Sequence, residues 1–322
     1  MTKDSIRECV PIFFTIDESF VPFLDAALIS LTENASDESD YHIVIINDGV
    51  CEEDKRVLKA HEKENVTIEF VSMGDEISSI KDRSENRLRC DFFTMTIYFR
   101  LFIPEMFPQY DKCIYIDSDV IVSGDISEMY KIPLGSNIVG ACPDLSVADV
   151  PPFAKYIEDA VGINRYRYVN SGVLLMNLKL MRELHFTDEF LRLLNTYHFD
   201  TIAPDQDYLN AMCCGRIHFL DECWDAMPNK AKEPQSSPKL IHYNLFDKPW
   251  CYDDVQYSEY FWKYAKRSQF YERILEFKRN YGEDKKDNDA KCLDEMLTKG
   301  EALADADVTF KRLYESGEKI RI

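Results

Sequence analysis

Short apolar runs alternate with amphipathic stretches through the first two-thirds of the chain. Residues 10–16, 41–47 and 66–71 are compact apolar runs rich in β-branched side chains, and each predicts a buried strand. Between the first two, Phe20, Phe23, Leu24, Ala27, Leu28 and Leu31 recur at helical spacing and share one face. Between the second and third, the charged segment 52–64 follows Asn47-Asp48-Gly49 and predicts another helix. Strand, helix, strand, helix, strand implies a parallel sheet covered by helices. A helix is predicted over 95–107, ended by Pro108, followed by a strand entering Asp117. Further strands are expected at 138–142, 172–177 and 216–220.

Past Trp250 the pattern changes. Residues 257–322 mix Lys, Glu, Asp and Arg with spaced Phe, Tyr and Leu, which predicts two or three amphipathic helices. The organisation expected is therefore a main domain over 1–256 and a helical C-terminal appendage over 257–322. Apolar runs such as 10–14 and 172–176 are far too short to span a bilayer, and the N-terminus lacks a signal peptide's apolar core. Ten cysteines are scattered without metal-ligand spacing, which fits reduced thiols and a cytoplasmic setting.

A formal net charge of −20 over 322 residues argues against nucleic acid and against an anionic membrane surface as partners. An acidic protein that binds an anionic substrate has to supply local cations. The run Cys113-Ile114-Tyr115-Ile116-Asp117-Ser118-Asp119 offers a means to do so. Alternate side chains of an extended chain point the same way, so Asp117 and Asp119 converge while Ser118 turns aside. Two neighbouring carboxylates repel unless a cation lies between them, and their hard oxygens select Mg²⁺ or Mn²⁺. A solvated strand-to-loop turn explains residues 113–122 equally well. A second cluster, Ile241-His242-Tyr243-Asn244-Leu245-Phe246-Asp247-Lys248-Pro249-Trp250, adds an imidazole and, six residues on, an ammonium. Joined to the Asp-x-Asp pair it makes an O,O,N metal site beside a phosphate-binding cation.

With those segments in view, the chain resembles glycosyltransferase family 8, whose members include bacterial lipopolysaccharide galactosyl- and glucosyltransferases and glycogenin. The resemblance rests on motifs in family order over roughly three-quarters of the chain. They are Phe14-Thr15-Ile16-Asp17, Tyr98-Phe99-Arg100-Leu101, Tyr115-Ile116-Asp117-Ser118-Asp119 and Gly140-Ala141-Cys142-Pro143-Asp144. Asn170 through Leu178, Asp205-Gln206-Asp207 and His242 through Trp250 complete the set. It implies a GT-A fold, a Rossmann-like mixed α/β sheet flanked by helices. It also implies retaining transfer of a hexose, galactose or glucose, from a UDP-sugar to a saccharide, glycolipid or protein acceptor, in cell-surface glycan or lipopolysaccharide-type synthesis.

The roles implied by the resemblance are as follows. Asp117, Asp119 and His242 hold Mn²⁺, with Mg²⁺ as the alternative. Thr15, Asp17 and Ser19 line the uridine, and Ser118 is counted among the substrate-binding residues. Arg100, Asn170, Ser171, Asp205 and Gln206 surround the donor sugar, with Asp144 near donor or acceptor hydroxyls. Lys248 neutralises the departing UDP. Gln206, as an amide, is a poor nucleophile, and Asp205 is assigned to sugar hydroxyls, which favours front-face attack over double displacement. Family members commonly carry glycine three residues after the histidine, where this chain has Leu245; a glycine permits close backbone approach to the diphosphate. Thr15-Ile16-Asp17-Glu18 stands where many relatives have small residues.

Taken singly, the segments also have structural readings: a surface ion pair for Arg100, a helix N-cap for Asp205-Gln206-Asp207, an ordinary turn at Asn170-Ser171-Gly172. Competing functions are a glycogenin-like self-glucosylating initiator, suggested by eighteen tyrosines, a non-catalytic nucleotide-sugar binding module, suggested by Leu245, and a metal-dependent phosphohydrolase.

Overall fold

Ile12, Phe13 and Phe14 are wholly buried at the centre of the first strand, and Ile43 to Ile46 are buried likewise in the second. Side chains covered on both faces make each run a central rather than an edge strand. The structure is a computed structural model and describes residues 7–72 and 95–322. The expected domain over 1–256 thus includes two segments, 1–6 and 73–94, that lie outside the described residues.

In chain order the elements begin with β1 (Glu8–Asp17), α1 (Val21–Asn34), β2 (Ser39–Asp48), α2 (Glu52–Lys59) and β3 (Val66–Ser72). A 3₁₀ turn over Met95–Leu101 leads to α3 (Ile103–Met106), β4 (Cys113–Ile116), β5 (Val120–Val122) and α4 (Ser127–Tyr130). Then come β6 (Val139–Ala141), α5 (Pro151–Tyr156), β7 (Val173–Met176), α6 (Leu178–Glu183), α7 (Phe186–Tyr197), α8 (Pro204–Met212) and β8 (Ile217–Phe219). The chain ends with β9 (Leu240–His242), α9 (Ser258–Ala265), α10 (Tyr271–Arg279), α11 (Glu283–Ala304) and α12 (Phe310–Glu315).

These elements form two compact units. The first comprises Met1–Ser72, Lys112–Pro133 and Glu222–Lys278. Its strands lie in the order β3-β2-β1-β4, all parallel, with Ile12 opposite Ile43 on one side and Ile114 on the other. A separate antiparallel ribbon pairs β5 with β9 and sets Val120 opposite His242. Helix α1 is buried nearly all round, so its polar Asp25 is bonded rather than solvated: His61 Nε2 lies 2.6 Å away and Ser268 donates at 2.6 Å. Trp250 stacks on Phe23 at 4.2 Å between ring centres and fixes the chain just after Lys248.

The second unit comprises Met73–Asp111, Leu134–Asp221 and Arg279–Ile322. Its strands lie in the order β7-β6-β8, with β6 antiparallel to β7 and parallel to β8. The mixed α/β character expected from the sequence is observed.

Several local expectations are corrected. Segment 95–107 is a 3₁₀ turn followed by a single α turn, because Pro104 interrupts continuous α-helix. The helix begun at Glu52 stops at Lys59, well short of residue 64. Residues beyond 257 form four helices, not two or three. Helices α4, α5, α6 and α7 were not anticipated. The first turn of α8 opens at Pro204, with Ala203 as its cap, so Asp205, Gln206 and Asp207 lie inside the helix rather than capping it.

Candidate functional site

The β5–β9 ribbon decides the geometry of the acidic strand end. Its register places His242 beside Val120, and the Tyr243 N–H donates to the Asp119 carbonyl at 2.9 Å. Residues far apart in sequence are thereby locked within one turn of backbone of each other. Ligand atoms of Asp117, Asp119 and His242 all lie within 4.8 Å of one another. His242 Nε2 is 3.4 Å from Asp119 Oδ1 and 3.9 Å from Asp117 Oδ2. Two donors about 2.1 Å from a shared ion and at right angles to each other stand about 3.0 Å apart, so these side chains are close to the spacing of a common divalent cation.

Asp225, fully buried, lies 3.1 Å from His242 Nδ1. A carboxylate on that nitrogen holds its proton there and leaves Nε2 free to face the two aspartates. The donor set therefore fits a divalent metal.

The charges are mutually compensated. Burial opposes the Asp119 anion, yet the Lys248 ammonium and the His242 ring hold its carboxyl well below the usual range. Burial likewise opposes a charged imidazole, but Asp119 and then Asp225 outweigh it and lift the His242 pKa to about 10. In the metal-free protein a proton on His242, with Lys248, thus offsets part of the negative charge of Asp117, Asp119 and Asp225. Lys248 Nζ bonds Asp119 Oδ2 and donates to the Tyr243 carbonyl at 2.7 Å, which fixes the ammonium beside the carboxylates.

Further residues at the ends of β1 and β4 complete this rim. The Tyr115 hydroxyl donates to Asp117 Oδ1 at 2.6 Å, leaving its oxygen to accept from Thr15 at 2.8 Å. Asp17 Oδ1 accepts from the Ser19 N–H at 2.9 Å and its hydroxyl at 2.5 Å, closing the end of β1. Ser118 is buried between the two carboxylates in sequence. Leu245 adopts φ +54°, the left-handed conformation that favours glycine. Leucine bears the strain of that conformation here.

In the second unit a separate buried network gathers the remaining predicted residues. Arg100 donates to the Ser171 carbonyl at 2.5 Å and pairs with Asp205 at 3.3 Å. Ser171 Oγ donates to Asp205 Oδ2 at 2.8 Å, and its N–H donates to Gln206 Oε1 at 3.1 Å. Gln206 Nε2 donates to Asp144 Oδ2 at 3.0 Å, and Asn170 Nδ2 reaches the same oxygen at 3.3 Å. Arg100 is 5% exposed, which replaces the surface ion-pair reading with a buried one. Sequence reasoning missed Asp225, Tyr115 and the partners of Asp207. Only Tyr115 carried a signal, being in β4 two residues before Asp117.

The sequence profile of glycosyl transferase family 8 matches residues 11–254. The chain belongs to glycosyl transferase family 8. Among relatives of this family 8 chain, a putative glycosyltransferase of Haemophilus influenzae is 23% identical over 67% of this chain and 63% of that protein. The lipopolysaccharide 1,2-glucosyltransferase of Escherichia coli is 23% identical over 85% of each. The general stress protein A of Bacillus subtilis is 22% identical over 78% of this chain and 89% of its own. Among solved structures, the galactosyltransferase LgtC, in complex with donor and acceptor sugar analogues, superposes with a TM-score of 0.67 at 22% identity. That match covers 81% of this chain and 96% of LgtC. The bifunctional glycosyltransferase WbbM gives 0.72 at 23% identity over 86% of this chain, which spans 53% of WbbM. These likenesses establish the GT-A fold. No helix among the described residues is long and apolar enough to cross a membrane.

Proposed function

We propose that this chain is a metal-dependent retaining hexosyltransferase that moves galactose or glucose from a UDP-sugar to an acceptor hydroxyl, in cell-surface glycan or lipopolysaccharide-type synthesis. The observation that carries the reading is the Asp117–Asp119–His242 cluster, oriented by Asp225 and flanked by Lys248, on a family 8 chain. We further propose residues 1–256 as the catalytic domain, 257–322 as its helical extension, and a cytoplasmic site of action. The nine cysteines among the described residues are free thiols, in keeping with that compartment.

A divalent cation on Asp117, Asp119 and His242 would bind the diphosphate and stabilise charge on the departing UDP. Lys248 contributes a second positive charge at the same rim. Thr15, Asp17 and Ser19 present polar groups at the end of β1 for the uridine, and Ser118 lies between the two carboxylates for the diphosphate. Arg100, Asp144, Asn170, Ser171 and Asp205 present a pre-organised polar wall to sugar hydroxyls. Gln206 has both ends of its amide fixed, by Ser171 and Asp144, so it holds one orientation and supplies no nucleophile. Asp205 is tied to Arg100 and Ser171. Retention then follows from front-face attack, in which a phosphate oxygen of the donor accepts the acceptor's proton. A glycosyl adduct trapped on Asp205 would contradict that route.

The test is a UDP-release screen across UDP-sugars, with and without Mn²⁺. Turnover of a UDP-hexose that disappears on chelation is expected. Silence with every donor and a broad acceptor panel, despite UDP-sugar binding, would instead make the chain a binding module. The glycogenin-like alternative is separated by intact mass after incubation with UDP-glucose: only an initiator gains hexose without added acceptor.

A further inference from the structure

Asp207 follows Gln206 directly, yet it faces away from the wall just described. Residues two apart on a helix point about 200° apart, so the face of α8 that presents Asp205 is nearly opposite the one that presents Asp207. The Asp207 side chain is wholly inaccessible. Its Oδ1 accepts the Tyr168 hydroxyl at 2.6 Å, and its Oδ2 accepts the Tyr156 hydroxyl at 2.8 Å and the Ala203 N–H at 2.9 Å. The Tyr156 hydroxyl also accepts from the Ile202 N–H at 3.3 Å. Burial, followed by the Asp207 charge, pushes the Tyr156 hydroxyl well above its ordinary pKa, so it remains a donor throughout the working range. One turn on, Asn210 grips Val169 through its N–H at 2.8 Å and its carbonyl at 2.8 Å, and donates to the Gln206 carbonyl at 2.9 Å.

A buried carboxylate is costly unless fully bonded, and a serine or asparagine cap would satisfy the start of a helix far more cheaply. What Asp207 adds is direction. Two donors arriving from outside the helix, Tyr156 and Tyr168, define the rotation of α8 about its axis, while the Ala203 N–H closes the helix's own first turn. That rotation sets the register of Gln206 on Asp144 and Ser171.

We propose that Asp207, clamped by Tyr156 and Tyr168, is a positioning residue that fixes the rotation of α8 and thereby places Gln206 and Asp205 against the donor sugar, and that it is not itself a reacting group. This rests on the hexosyltransferase reading. Both of its oxygens are engaged by tyrosine hydroxyls, and no face is open to a sugar carbon.

The experiment compares wild type with Tyr156→Phe, Tyr168→Phe, the double variant and Asp207→Asn, each assayed well below its own melting temperature. Transfer kcat, KM for the UDP-sugar, and the ratio of donor hydrolysis to transfer are measured. A misplacement approaching 1 Å costs about 100-fold in rate. Each single Phe variant is expected to lose about 3- to 10-fold in kcat, and the double variant more than about 30-fold. KM is expected to stay within about threefold, and hydrolysis to rise relative to transfer. Phe variants with wild-type kcat and an unchanged hydrolysis ratio would reduce the clamp to a stability element and overturn the proposal. So would an inactive Asp207→Asn beside fully active Phe variants, which would make Asp207 a reacting group. If the double variant does not fold, the singles decide. A wild-type enzyme silent with every UDP-sugar overturns the hexosyltransferase reading and this proposal together, whereas active wild type with indifferent Phe variants overturns this proposal alone.

Discussion

Replacing Asp225 by alanine removes the carboxylate from His242 Nδ1 without touching a ligand atom. The bond is 3.1 Å long and joins a fully buried carboxylate to an imidazole whose side chain is 3% exposed. A buried charge-assisted bond of this kind is worth about 1.5–3 kcal/mol. Without it the ring is free to place its proton on Nε2 and to rotate, both of which oppose metal binding. At about 1.4 kcal/mol per tenfold, Mn²⁺ affinity should fall by about 10- to 150-fold. That range agrees with the usual cost of losing an outer partner of a metal-bound histidine. Asp225→Asn keeps an acceptor but loses the charge, so its loss should fall at the lower end, near about tenfold. The assay is Mn²⁺ titration by electron paramagnetic resonance, with and without UDP, on protein shown to be folded by circular dichroism. A folded Asp225→Ala protein that binds Mn²⁺ within about twofold of wild type would refute the claim that Asp225 orients His242 for the metal.

Asp119→Asn should lower Mn²⁺-dependent turnover by at least about 100-fold with the fold intact, and retention of most activity would remove Asp119 from the metal set. Lys248→Ala should lower kcat more than UDP affinity if its charge acts chiefly on the leaving group; equal losses would show ordinary ground-state binding. Leu245→Gly relieves a left-handed backbone worth about 1–2 kcal/mol but loosens the unfolded chain by about 0.4–1 kcal/mol and gives up half-buried apolar surface. Its melting midpoint should therefore stay close to wild type, while the β-branched Leu245→Val should melt clearly lower; the reverse order would deny the strain. For pH, the His242 pKa is raised when folded, so its contribution is full below the unfolded value of 6.5 and is lost as pH rises toward about 10. Asp119 is depressed, so its contribution is present above its unfolded value of 3.8 and is lost as pH falls below that value. Metal-free protein should melt lower at pH 9 than at pH 6, and Mn²⁺, which binds the neutral ring, should lessen that difference. A metal-free melting temperature that rises between those two values would contradict the assignment.

What could be read from the chain alone followed local periodicity. Strands β1, β2 and β3 were placed to within a few residues because burial on both faces requires unbroken apolar runs. Helix α1 was found through its Leu and Phe spacing, yet its burial on every side was not, because the partners of its polar side chains come from distant segments: His61 and Ser268 for Asp25, and the Val122 N–H for Ser30. The Asp-x-Asp pair was visible as a motif, but Asp117 and Asp119 lie in the link between β4 and β5, beyond the strand whose alternation predicts their convergence.

The sequence by itself therefore determined the α/β class, the family and the kind of chemistry its carboxylates, imidazole and ammonium can do. Tertiary structure alone decided which of them meet. The approach of His242 to Asp119 depends on one antiparallel register between β5 and β9, and such pairing leaves no trace in the local pattern of either strand. Asp225 behind the ring and the tyrosines around Asp207 are products of the same kind of long-range closure, in which a buried charge is tolerated only because distant segments deliver its partners.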